Sequence, residues 1–147
     1  MKVHLSLSAK KPDYRIENEH GVLNARWKYD LLEEEDENYL PEGYDPRKVL
    51  ELAEIYVSRR GQSHGEALMK EFLNSNVVKK AELVFLDPVP LPGYGDDSDD
   101  DGRHKNPLQR IEALKRFYAK FGFRSRVGHN RMWLVRKGTI KDSELPT

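Results

Sequence analysis

The chain has 147 residues, 37% of them hydrophobic and 34% charged, which suits a single domain able to bury about two-thirds of its unfolded surface. It has no cysteine, so disulfides, thiolate metal ligands and a cysteine nucleophile are excluded; no apolar run is long enough for a signal peptide or a membrane span, and a soluble cytoplasmic protein is expected. Its 25 basic and 25 acidic residues cancel, but the signs are segregated: Glu33 to Glu37 are consecutive acids, five aspartates lie between Asp96 and Asp101, and twelve Lys or Arg stand against the single acid Glu112 between Gly102 and Lys141.

Val3, Leu5 and Leu7 alternate with His4, Ser6 and Ser8, which predicts an opening strand with one wet face. Tyr14 to Glu19 and Val22 to Tyr29 are extended segments around His20-Gly21, a hairpin in which the glycine supplies positive φ. Residues Asp30 to Arg47 are acidic and poor in apolar side chains. They read as a solvated insertion, the alternative being a lid helix capped by Asp30 and ended by Pro41.

Leu50 to Val57 are mostly aliphatic or aromatic and predict a strand, whereas Ser58 to Gly65 hold no large apolar side chain. Leu68 with Phe72 and Met69 with Leu73 then recur four apart, as in a helix. A helix opening between Gly61 and Gly65 points free backbone N–H groups outward at the positive end of its dipole, beside Arg59 and Arg60. Such a mouth suits a pyrophosphate. Lys79 to Leu86 predicts a strand apolar on both faces, hence central. Pro88, Pro90 and Pro92 end it.

Gly93 to Lys105 is a long polar loop. Its Asp97-Ser-Asp-Asp-Asp-Gly102 run begins like a calcium loop, but Leu108 occupies the twelfth position where a glutamate is needed, and Pro107 intrudes. A solvated loop is expected, with a cation-attracting rim as the functional alternative. Asn106-Pro107 reads as N-cap and first helical residue; Leu108, Ile111, Leu114, Tyr118 and Phe121 form an apolar stripe, and Gly122 suits the left-handed residue after the last turn. Arg124 to Val127 and Met132 to Val135 predict closing strands around Gly128-His-Asn130, and the polar tail from Gly138 to Thr147 is expected to fray. His4, His20, His64, His104 and His129 show no zinc spacing, so no metal is expected.

Neither a Walker loop nor a dinucleotide-binding glycine pattern is present. Arg60-Gly-Gln-Ser-His-Gly65 resembles the Arg/Gln-x-x-Gly-x-Gly/Ala signature of the GNAT superfamily of N-acetyltransferases, with Ser63 where that family usually has glycine. Phe117-Tyr-Ala-Lys-Phe-Gly-Phe123 resembles its Tyr-x-x-x-Gly-Phe signature. The resemblance covers about Leu50 to Phe123. It implies an α/β (α+β) domain: a mixed, mostly antiparallel twisted sheet of about seven strands, helices on both faces, and reduced N-terminal helices, since only about six residues separate the first two strands. It also implies acetyl-coenzyme A as cosubstrate, bound by Tyr56, Val57, Ser58, Arg59, Arg60, Gly61, Gln62, Ser63, His64, Gly65 and Glu66, with Asn106 and Tyr118 contributing from the later helix. The family's asparagine seven residues before the tyrosine is here Ile111.

Acetyl transfer from a thioester needs a neutral amine. A lysine-like amine of pKa about 10.4 is neutral in only about one molecule per thousand near pH 7.4, a penalty of about 4 kcal/mol, so a positioned base helps. By resemblance Glu54, in the strand before the loop, is the candidate base, and Glu51 competes with it. Plain alternation puts Glu54 on one face with Tyr56 and Leu52; its alternative role is a carboxylate paired with an arginine. Tyr118 matches the residue that gives a proton to the coenzyme thiolate, against the alternative that it only packs. The resemblance thus implies an N-acetyltransferase acting on a primary amine, preferably cationic, as monomer or homodimer. A non-catalytic coenzyme-binding or protein-interaction module is the first rival, and an RNA-linked amine served by the basic C-terminal third is the second.

Overall fold

The computed structural model describes residues 12–28, 40–41, 43–57, 62–88 and 107–146. Six strands appear among them: β1 (Tyr14–Asn18), β2 (Gly21–Trp27), β3 (Val49–Val57), β4 (Leu83–Leu86), β5 (Arg124–Ser125) and β6 (Met132–Val135). Three helices accompany them: α1 (Gln62–Leu73), α2 (Asn76–Lys80) and α3 (Pro107–Ala119). The strands form one sheet in the order β1-β2-β3-β4-β6-β5. Every neighbouring pair is antiparallel except β3 with β4. The described residues therefore form a mixed α+β fold with a six-stranded, mostly antiparallel sheet. The strand expected at Val3–Leu7, the acidic run Glu33–Glu37 and the aspartate loop lie outside the described residues.

The hairpin forms where the sequence places it. Asn18 pairs with Gly21 across the Glu19-His20 turn, and Asn18 Oδ1 accepts the His20 N–H at 2.8 Å. Gly21 has φ +140°, and a Cβ there would lie 2.0 Å from the Tyr56 carbonyl oxygen. Both conformation and the close approach of β3 demand glycine. Gly122, after α3, has φ +98° as expected for a left-handed helix terminator.

Two expected strands are shorter than predicted. Residues Asn76–Lys80 turn as helix α2, capped by the Ser75 hydroxyl, which accepts from Val78 N at 3.4 Å. Val78 is fully buried, so the cap and one anchor override the β-preference of Val77 and Val78. The strand expected from Lys79 starts only at Leu83. At the far edge β5 stops at Ser125, leaving Val127 90% exposed in the turn.

The core has two parts, one on each sheet face. Ile16, Leu23, Leu50, Val84 and Met132 meet Leu68, Met69 and Phe72 of α1 and Tyr118 of α3 on the first face. Both long helices therefore lie on one face, where a Cβ on Gly65 of α1 would come within 3.2 Å of the Phe117 ring of α3. Among the described residues the second face carries no α-helix, where helices on both faces were expected. On the second face Val49, Leu83, Phe85 and Trp133 are covered by Ile140 and Leu145, with Leu40 and Tyr44 packed alongside.

The tail expected to fray is thus packed. Residues Asp142–Glu144 make a 3-10 turn between its two buried anchors, the Tyr44 hydroxyl donates to the Lys137 carbonyl, and Lys137 Nζ donates to Gly43 O at 3.0 Å. Two isolated apolar residues carry no helical or strand period, so their role shows only when an uncovered sheet face is seen to need them. Leu145→Ala is expected to lower stability by about 2–5 kcal/mol, whereas Val127→Ala should stay within about 0.5 kcal/mol. Urea unfolding of both variants checks this, and equal losses would contradict the packed tail.

Candidate functional site

Strand β3 carries the candidate site, and one irregularity decides how. Asn24 pairs with Glu54 and Ala25 with Leu52, so Ala53 is an extra residue bulged out of the β2–β3 ladder. A bulge shifts the alternation of side chains by one. Leu50 and Leu52 before it, and Ile55 and Val57 after it, all pack toward the helices. Glu54 and Tyr56 turn to the second face, which they share with Glu51. The expected sharing of a face by Glu54 and Leu52 is therefore corrected.

On that second face a chain of polar contacts crosses three strands. Arg15 of β1 donates from Nη1 to Asn24 Oδ1 at 3.2 Å, Asn24 Nδ2 donates to Glu54 Oε1 at 2.8 Å, and the Tyr56 hydroxyl lies 3.5 Å from Glu54 Oε2. Asn24 is 3% exposed, the one buried polar residue among those described. The competing acid Glu51 instead faces Arg26 and Lys28, each at 3.4 Å. Two cations hold the Glu51 carboxylate. The partners of Glu54 are the neutral side chains of Asn24 and Tyr56.

Ser58, Arg59, Arg60, Gly61 and Asn106 lie outside the described residues. Helix α1 opens at Gln62, so Ser63 takes a helical backbone and needs no positive φ. His64, in the first turn, meets His20 of the hairpin, with their Nδ1 atoms 3.0 Å apart, while His20 Nε2 lies 3.5 Å from Glu19. No spacing in the sequence announces a contact between residues 44 apart. Gly65 lies against Phe117 and Val57, and Glu66 pairs with Lys120 at 2.9 Å. The Lys120 hydrogen bond and charge hold the Glu66 carboxyl below its usual range. Gly65 and Glu66 thus tie α1 to α3.

Tyr118 is 6% exposed, edge-on to Phe117 and Phe123, with ring centroids 5.1 and 6.2 Å away. Burial pushes its phenol pKa well above the ordinary tyrosine value. It belongs to the helix-face core, whereas Glu54 is on the opposite face. The sheet does not bring the two candidate catalytic side chains together directly.

The pairing of β3 with β4 stops partway along β3. The β3–β4 ladder consists of Val49 with Leu83, Leu50 with Val84 and Glu51 with Phe85, and ends there. Strand β3 continues to Val57. Among the described residues, nothing pairs with its β4-facing edge from Leu52 onward, and α1 begins just past the end of that edge. Backbone donors and acceptors on such an edge recruit another extended, amide-bearing group.

The raised Tyr118 pKa has a pH consequence. The native state favours the neutral phenol, so this contribution is complete below the unfolded tyrosine value of 10.0 and is lost as pH rises from there toward the folded value. Wild-type stability is expected to fall more steeply above pH 10 than that of Tyr118→Phe. Denaturant unfolding across that range checks the sign, and parallel curves would contradict it.

Among the described residues no group of three or more His, Asp or Glu side chains could hold a metal ion, and no helix is long and apolar enough to cross a membrane. No family model matches the chain, and neither a curated protein nor a solved structure matches it.

Proposed function

We propose that the protein is an acyl-coenzyme A-dependent N-acetyltransferase of GNAT type, moving an acetyl group to a primary amine by direct attack. The observation that carries this reading is the open edge of β3 beyond Glu51, with Glu54 and Tyr56 on one side of the sheet and Tyr118 on the other. The pantetheine arm of coenzyme A holds two amides in an extended chain, which matches what an unpaired strand edge offers. The residues of this chain fit that group: the backbone of Tyr56 and Val57 would take the arm, and the first amides of α1 with Arg59 and Arg60 would take the diphosphate. When bound, acetyl-coenzyme A supplies an activated acyl group.

The side chains then divide the proton traffic. Glu54 removes a proton from the amine on the second face. Tyr118, kept neutral by burial, presents its O–H to the sulfur from the first face. At unperturbed values a phenol near 10 is a weaker acid than a thiol near 8.5 by about 2 kcal/mol, and burial widens the difference. Tyr118 would therefore serve as a hydrogen-bond donor to the charge developing on sulfur, with the coenzyme leaving as the thiolate and the amine proton held by Glu54. A cationic acceptor follows from the acidic runs Glu33–Glu37 and Asp96–Asp101.

One observation favours the rival reading, a coenzyme-binding module without turnover: Tyr118 is packed among Phe117 and Phe123 as a core residue would be. An RNA-linked acceptor loses support, because Lys120, Arg124, Arg131 and Lys137 of the basic third are paired with Glu66, Asp142, Asp87 and Glu82. Calorimetry with acetyl-coenzyme A and mass spectrometry of products from a mixed amine pool separate these readings. Binding with acetylated product is expected, as is a loss of about 100-fold or more in kcat for Glu54→Gln with coenzyme affinity unchanged. Binding without product would select the module, and no heat would remove both.

A further inference from the structure

We infer that Asn24 is a positioning residue for Glu54, an assignment that rests on the acyltransfer reading. Asn24 is neither near the phosphate mouth nor part of the motifs that suggest the activity. Its amide is nevertheless the most buried polar side chain among those described, 3% exposed, and both of its ends are held. Arg15 Nη1 donates to Oδ1 at 3.2 Å, and Nδ2 donates to Glu54 Oε1 at 2.8 Å. These partners fix the amide orientation, since a flipped amide would set its NH2 against a guanidinium and its oxygen against a carboxylate. Arg15 is itself anchored by Glu17 at 3.1 Å. The rotor is thus locked from its far side.

The consequence falls on the carboxylate. With Oε1 held by Asn24, Glu54 is left with Oε2 directed toward the Tyr56 hydroxyl at 3.5 Å, at the strand edge where the ladder to β4 has ended. A base useful to an incoming amine must present one oxygen in a fixed direction, and a free glutamate spreads that oxygen over several rotamers. Among the described residues the other charged or titratable groups on this face near Glu54 are Arg15 and Glu17 on β1, Arg26 on β2 with Lys28 just after it, and Glu51 and Tyr56 on β3. Arg26 and Lys28 engage Glu51 at 3.4 Å, Arg15 engages Glu17, and Asn24 donates to Glu54 across the strands at 2.8 Å.

Asn24→Asp tests this in the full chain. It is isosteric and keeps an acceptor for Arg15, so the fold is expected to persist, but it replaces the donor to Glu54 by a second carboxyl. The expected result is an acid limb of kcat moved to higher pH by one unit or more, kcat down at least tenfold at neutral pH, and acetyl-coenzyme A affinity within twofold of wild type. Should coenzyme affinity collapse in this variant, Asn24→Ala is read in its place, with the same tenfold or greater loss in kcat at unchanged coenzyme affinity. A uniform loss with the wild-type pH profile, or activity equal to wild type, overturns the positioning role alone. Absence of acetylated product from the wild type with every amine overturns the acyltransfer reading, and this assignment with it.

Discussion

Three parallel residue pairs, Val49 with Leu83 through Glu51 with Phe85, join the antiparallel sheet β1-β2-β3 to the antiparallel sheet β4-β6-β5. A parallel ladder requires a crossover, and α1 and α2 supply it above the sheet. The ladder is short because β4 itself ends at Leu86, one residue after the last pair, whereas β3 runs on to Val57 beside β2. Ala53 bulges from β3 two residues after that pair and turns Glu54 to the face away from the helices.

The two faces are stabilised differently. The helix face buries aromatic and aliphatic side chains from α1 and α3, joined by the Gly65–Phe117 approach and the Glu66–Lys120 pair. The second face lacks a helix among the described residues. Residues 40–41, 43–48 and 137–146 cover its β4 and β6 half with side chains such as Tyr44, Ile140 and Leu145. This cover is made of extended chain and 3-10 turns, and the Trp133 indole N–H beneath it is buried without a partner among the described residues, a cost of about 1–3 kcal/mol. A cover built from such segments differs from a helical one in that single buried anchors set its position.

Periodicity made the regular elements legible. The β1–β2 hairpin, the strand–helix run through β3 and α1, the central β4 and the stripe of α3 all follow from spacing and from glycines at 21 and 122. What escaped has no period. The Ala53 bulge changes no residue type, yet it moves Glu54 from the side of Leu52 to that of Glu51. Ile140 and Leu145 are lone apolar residues in a polar tail, and the His20–His64 contact joins a turn to a helix start. Val77 and Val78 favour a strand by propensity, but the Ser75 cap makes them helical. Of the candidate site, Glu54 and Tyr118 could be named from motifs. Their separation across the sheet could not, because it depends on which face each strand residue takes after the bulge.

That separation bears on chemistry in the proposed reading. An acid and a base on one wet face would meet the same solvent and compete for the same proton. Here Tyr118 is enclosed by aromatic rings, which keep it neutral and a donor, while Glu54 sits in a hydrogen-bonded polar row with Asn24 and Tyr56. In that reading an acyl group lying along the unpaired edge of β3 would be approached by an amine from one face and relieved of charge on sulfur from the other.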